Sequence, residues 1–169
     1  DGDDTYVFRL GDGADQVSET AGSDRVVFEG LNPADVTAVE RHGYHLVIRL
    51  GTGQSLTVLN YFYSTGYQVE AFEFAGGVVW TYADIVGRAV TPGTAGNDSI
   101  SGDGLDDQIN GLAGNDTLRG YAGNDLLDGG ADGDQLFGGS GENTIFGGDG
   151  NDRLEATTGT DQLFGGTGI

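Results

Sequence analysis

The sequence predicts an all-β chain: a parallel β-solenoid with two repeat blocks per coil, joined to a small antiparallel β domain with one short helix. Three observations carry this expectation. Residues 93–164 divide into eight consecutive nine-residue blocks without insertion or deletion. One aliphatic residue recurs at the eighth position of every block: Ile100, Ile109, Leu118, Leu127, Leu136, Ile145, Leu154 and Leu163. Residues 36–80 instead carry short apolar runs separated by glycine-bearing turns.

A nine-residue period with one apolar position is no helix stripe, because a helix returns to the same face every three or four residues. In each block the stretch up to position six reads as a turn and the last three residues as a short strand whose central aliphatic points inward. The shared pattern is G-x-x-G-x-D-x-[IL]-x, and position six reads Asp98, Asp107, Asp116, Asp125, Asp134, Asn143, Asp152 and Asp161. Glycine at positions one, two and four supplies positive φ and lets carbonyl oxygens converge. Converging carbonyls with one carboxylate per turn describe an oxygen cage, and oxygen-only ligation selects Ca2+ over softer metals.

Earlier in the chain, Asp1-Gly2-Asp3-Asp4-Thr5-Tyr6-Val7 reads as the tail of such a block, with Asp4 at position six and Tyr6 at position eight. Residues 11–18 and 19–27 are two degenerate blocks, with Asp15 and Asp24 nine residues apart and Val17 and Val26 inward. The Asp4 and Asp24 turns are a candidate pair for one further calcium. After Asn32-Pro33 the pattern becomes antiparallel. Residues 36–40 and 46–50 flank Arg41-His42-Gly43-Tyr44, Gly51-Thr52-Gly53 turns into residues 55–59, and residues 69–74 form a second hairpin through Ala75-Gly76-Gly77 to residues 78–80. Thr81, with Asp84 three residues on, reads as the N-cap of a short helix over residues 82–88, and Thr91-Pro92 as a linker. The expected domains are 1–30, the end of a preceding roll; 31–92, the antiparallel β domain; and 93–169, the regular array.

On these repeats, residues 93–164 resemble the RTX (haemolysin-type) nonapeptide array of secreted bacterial proteins. The resemblance implies a calcium-binding parallel β-roll, with each ion between turns two blocks apart. One row then uses Asp98 with Asp116, Asp116 with Asp134, and Asp134 with Asp152. The other uses Asp107 with Asp125, Asp125 with Asn143, and Asn143 with Asp161. The first site adds the carbonyls of Thr94, Gly96, Gly111 and Ala113. Asn143 is neutral where the family has Asp, and Ala156 and Thr157 replace both glycines of their block, so weak or empty sites are expected around Asn143. Asp4-Thr5-Tyr6-Val7-Phe8, Val58-Leu59-Asn60-Tyr61-Phe62 and Glu70-Ala71-Phe72-Glu73-Phe74, through Trp80 to Ala83-Asp84-Ile85, resemble the haemolysin-type calcium-binding related domain. In that family it caps the open end of a roll, which otherwise exposes unpaired backbone. The resemblance further implies type I secretion and a bacterial extracellular or cell-surface location.

Composition agrees. The chain has 27 acidic residues against seven basic ones, all arginine, and a net charge of −20. Fourteen acids and two arginines from residue 93 onward give −12, the charge that six divalent ions cancel. Without metal, such an acidic, glycine-rich segment buries too little surface to offset chain entropy and charge repulsion, so calcium binding is expected to be coupled to folding. No cysteine is present, which excludes disulfides and thiolate zinc sites. No apolar run reaches membrane-spanning length, and neither membrane insertion nor a nucleic-acid partner is expected.

No G-x-S-x-G, phosphate loop or H-E-x-x-H occurs, and His42 and His45 flank a hairpin turn without a third ligand, so no catalytic residue is assigned. Phe146 and Phe164, at outward position nine, are expected to be neighbours and a candidate contact with a following module or second copy. Gly165-Gly166-Thr167-Gly168-Ile169 followed by another copy's Asp1 would spell a complete turn, which suggests end-to-end assembly in an adhesin, surface layer or filament. A third reading is the C-terminal part of an RTX toxin or secreted enzyme.

Overall fold

The structure, a computed structural model, describes residues 2–51 and 53–168. The turn expected at Thr52 and the junction expected between Ile169 and Asp1 involve residues outside that set. The chain divides into two compact units, residues 1–89 and 90–169.

The first unit contains strands β1 (Thr5–Arg9), β2 (Ala14–Ser18), β3 (Arg25–Glu29), β4 (Val36–His42), β5 (His45–Leu50), β6 (Gln54–Leu59), β7 (Ala71–Phe74) and β8 (Val79–Trp80), then helix α1 (Tyr82–Val86). One sheet runs β1-β3-β7-β8, parallel except for the closing β7-β8 hairpin. Strands β4, β5 and β6 form an antiparallel meander, to whose last strand β2 adds in parallel. Gly43 turns the β4-β5 hairpin at φ 62°. Alternation along β5 and β6 drives Leu46, Ile48, Leu50, Leu56 and Val58 inward, against an aromatic cluster in which Phe28 stacks on Phe74 at 4.7 Å. Thr81 opens α1 by donating its N–H to Asp84 Oδ2 at 3.0 Å, and Ile85 anchors the helix in the core.

The second unit contains β9 (Val90–Pro92), β10 (Ser99–Ser101), β11 (Gln108–Asn110), β12 (Thr117–Ala122), β13 (Leu126–Ala131), β14 (Gln135–Ser140), β15 (Thr144–Asp149), β16 (Arg153–Glu155) and β17 (Gln162–Phe164). Alternate strands pair in parallel: β10-β12-β14-β16 on one face and β9-β11-β13-β15-β17 on the other. Two blocks therefore make one coil, and Leu118 lies beside Leu136 while Leu127 lies beside Ile145. The interior is formed by buried Ile109, Leu127 and Ile145 from one face and Leu118 and Leu136 from the other, flanked by Ile100, Leu154 and Ala156.

Three details differ from the expectation. Thr91 and Pro92, expected as a linker, belong to β9 and pair in parallel with Ile109 and Asn110 of β11. Strands β12 to β15 run six residues, because the ladder continues across the block boundary into positions one to three of the next block. Leu163 is 46% exposed, since β17 is covered on one side only among the described residues.

Candidate metal centre

From Asp98 to Asn143, each position-six residue of the array is held by the same bond. Its backbone N–H donates to Oδ1 of the side chain eighteen residues later: Asp98 to Asp116 at 2.8 Å, Asp107 to Asp125 at 2.9 Å, Asp116 to Asp134 at 2.8 Å, and Asp134 to Asp152 at 3.0 Å. One carboxylate oxygen of Asp116, Asp125, Asp134, Asp152 and Asp161 is thereby consumed by the neighbouring coil. The second oxygens of Asp116, Asp125, Asp134 and Asp152 are buried with no hydrogen-bond partner. A buried charged oxygen without a partner is costly, and a cation is the group that removes the cost.

The orphan oxygens face carbonyls. A Cβ placed on Gly111, Gly120 or Gly147 would lie 2.6 Å from the carbonyl oxygen of Gly129, Gly138 or Gly165 and would also strike the Oδ2 of Asp116, Asp125 or Asp152. Glycine at position one thus keeps open the space on which a carboxylate and a carbonyl converge. These position-one glycines do not have positive φ, contrary to the sequence expectation; left-handed backbone is confined to other turn positions. At position two even Leu112 (φ 77°) and Tyr121 (φ 78°) adopt it.

That backbone state divides the sites. In the first two blocks, position two is not left-handed, and the N–H groups of Thr94 and Asp103 donate to Oδ2 of Asp98 and Asp107 at 2.7 and 2.8 Å. Leu112 instead turns its N–H to Asn110 Oδ1 at 3.1 Å, and Oδ2 of Asp116 is left bare. Burial, reinforced by neighbouring carboxylates and partly offset by the backbone N–H, pushes the pKa of Asp125 and Asp134 up to about 6. The expected carbonyl donors of the first site lie in stacked turns: Thr94 accepts the Ala113 N–H at 3.5 Å, a Gly114 Cβ would meet the Gly96 carbonyl, and a Gly93 Cβ would meet that of Gly111.

Asn143 behaves differently. Its Oδ1 accepts the Asp125 N–H at 3.0 Å, which leaves its amide nitrogen where the other blocks have the orphan oxygen. Nδ2 donates to Asp161 Oδ1 at 3.0 Å and to the Gly139 carbonyl at 3.4 Å. Thr157 donates to the same carbonyl through its N–H at 3.2 Å and its hydroxyl at 2.8 Å. Oxygens that converge elsewhere are here bridged by protein hydrogens.

Position five contributes a ladder that sequence reasoning missed. Asn97 accepts the Asn115 N–H at 2.8 Å, Asn115 that of Gly133 at 3.1 Å, Asp106 that of Asn124 at 2.7 Å, and Asn124 that of Glu142 at 2.9 Å. The recurrence of Asn-Asp at positions five and six is the signal that could have found it. Outside the array, Asp4 donates its N–H to Asp24 Oδ1 at 2.8 Å, the same bond across a spacing of twenty residues. His42 bonds Glu40 at 2.6 Å and the His45 ring accepts the Asn60 N–H at 3.0 Å, which gives each a structural partner. Phe146 and Phe164 are register partners and stack at 4.8 Å on the outer surface.

The donor set is oxygen only, acidic and repeated in phase, which fits a hard divalent ion and Ca2+ in particular. Comparison with protein families agrees: residues 93–104, 101–136 and 137–169 match the RTX calcium-binding nonapeptide repeat (4 copies), and residues 45–84 match the haemolysin-type calcium binding protein related domain. Comparison with curated proteins finds no match. The chain thus carries an RTX calcium-binding nonapeptide array over residues 93–169 and a haemolysin-type calcium-binding related domain over residues 45–84.

Proposed function

We propose that this module is a non-catalytic scaffold of a large secreted or cell-surface bacterial protein, one that folds when it meets extracellular calcium. The buried, unpartnered Oδ2 atoms of Asp116, Asp125, Asp134 and Asp152 support this reading most directly. Five array sites are assigned: Asp98 with Asp116, Asp116 with Asp134, Asp134 with Asp152, Asp107 with Asp125, and Asp125 with Asn143. The sixth, Asn143 with Asp161, is closed by the Asn143 amide and Thr157.

Folding follows from the distribution of apolar burial. Among the described residues, eighteen buried apolar side chains form the core of the first unit, against five in the second. The array therefore depends on ion binding for stability, and coupled sites make the transition steep. Extracellular sites of this kind are tuned to roughly 10⁻⁴ to 10⁻³ M, above cytosolic free calcium, so the array stays unfolded inside the cell and compatible with passage through a type I channel. Far-ultraviolet circular dichroism during calcium titration tests the proposal. A steep gain of β signal that magnesium does not reproduce is expected; a spectrum unchanged by calcium refutes it.

A second reading, in which the module docks onto a neighbouring module or copy, is favoured by the stacked Phe146–Phe164 pair, 38% and 46% exposed. Light scattering in calcium, with and without Phe146→Ser and Phe164→Ser, separates an associating chain from a monomer.

A further inference from the structure

The first unit contains a turn built like those of the array but with an additional acid in it. Asp4 donates its N–H to Asp24 Oδ1 at 2.8 Å, and Asp24 donates its own N–H to Glu70 Oε2 at 2.6 Å. Strands β1, β3 and β7 thus carry a carboxylate row of their own, Asp4 to Asp24 to Glu70, bonded like the rows of the array. Ser23 donates to Asp3 Oδ1 at 2.9 Å, as position five does in the array, and Gly22 has a φ of 136°, matching position four.

Counting back from Asp24 at position six places Glu19 at position one. In the array that position is glycine in seven of the eight blocks, and its missing Cβ leaves the space on which a carboxylate and a carbonyl converge. A side chain at position one is therefore directed into the cation space, and here that side chain carries a carboxylate. The structure bears this out: ligand oxygens of Asp4, Glu19 and Asp24 lie within 4.8 Å of one another, with Glu19 3% and Asp24 2% exposed. Asp24 Oδ2 is buried without a hydrogen-bond partner, as in the array acids. Glu19 is fixed in place by the Tyr6 hydroxyl, which donates to its Oε2 at 2.5 Å, and by the Thr20 N–H at 2.8 Å.

We infer that Asp4, Glu19 and Asp24 form a separate divalent-cation site, in which Glu19 supplies from position one a charged ligand that the nonapeptide turns lack. The inference rests on the proposed function only for the identity of the ion, calcium. Three carboxylates against one divalent charge, at least two of them buried, make this a site that binds before the array does. It lies outside residues 45–84 and 93–169, so it belongs to neither matched segment.

Bound calcium counted by equilibrium dialysis on the full chain tests it. Glu19→Gln and Asp24→Asn are each expected to bind one ion fewer than wild type, with the calcium-induced β signal of the array retained. An unchanged count in the folded variants overturns the site. Should either variant lose the near-ultraviolet signal of Trp80, terbium luminescence excited through tyrosine decides instead. Tyr6 touches Glu19, so Tyr6→Phe lowers the emission if the ion is there, and undiminished emission overturns the proposal. Asp134→Asn removes array ions and leaves the Glu19-dependent ion in place, so failure of this site and failure of the array reading appear as separate losses.

Discussion

At the scale of single residues, one atom distinguishes a site that needs an ion from one that does not. Asp134 and Asn143 occupy the same position, and each has its Oδ1 taken by an N–H of the adjacent coil. The remaining atom is an orphan oxygen in the first and a satisfied amide in the second. Asn143→Asp is accordingly expected to add one calcium to the count from dialysis, provided Thr157 yields the Gly139 carbonyl; the double variant with Thr157→Gly should add it more tightly. The raised pKa values of Asp125 and Asp134, about 6 against an ordinary 3.8, give a pH prediction with opposite signs in the two states. The metal-free fold holds protons that the unfolded chain releases, so its stability falls as pH rises from about 4 to about 6 and stays low above. Calcium requires the ionised forms, so its apparent affinity rises across the same window. Dichroism at pH 4.5 and 7.5, with chelator and with calcium, reads both slopes.

At the scale of the turn and its strands, position one is where shape and chemistry meet. A methyl group on Gly120 would intrude on both Asp125 Oδ2 and the Gly138 carbonyl, whereas a Cβ on Gly104 meets nothing within 4 Å. Gly120→Ala should lose an ion and move the calcium midpoint upward several-fold, while Gly104→Ala leaves both unchanged. The nonapeptide phase made these turns legible in the sequence, because identical residues at fixed intervals force identical coils. The β4-β5 and β7-β8 hairpins of the first unit were legible too, from alternation broken by Gly43 and Gly76-Gly77. The parallel pairing of β2 with β6 was not: Val17 and Val58 are forty-one residues apart, and no local pattern records a partner at that distance. Glu19 was hidden for a related reason. Its block departs from the glycine pattern, and the Asp4–Asp24 spacing is twenty residues instead of eighteen, so phase alone gave it no role.

At the scale of the whole molecule, two kinds of stability share one chain. The first unit has an aromatic and aliphatic core of ordinary composition, with Phe28, Tyr61 and Phe72 fully enclosed, while the second has two short facing rows of aliphatics inside an acidic shell. Heating in excess chelator should leave a transition for the first unit, reported by Trp80, and erase the β signal of the second. Removing residues 111–128, which is two blocks, should give a chain that still folds in calcium but binds two ions fewer, since every remaining turn finds a partner of the same kind.

The eighteen-residue register of β10 to β17 sets a rule for how such an array changes in length. Inserting two blocks slides everything downstream along the coil axis and leaves it on the same face. Inserting one block transfers it to the opposite face, so that the Phe146–Phe164 stack would point the other way and the interrupted row through Asn143 would exchange sides with the intact one. Distance along the axis and direction around it are thus addressed separately, the first by the number of repeats and the second by whether that number is odd or even.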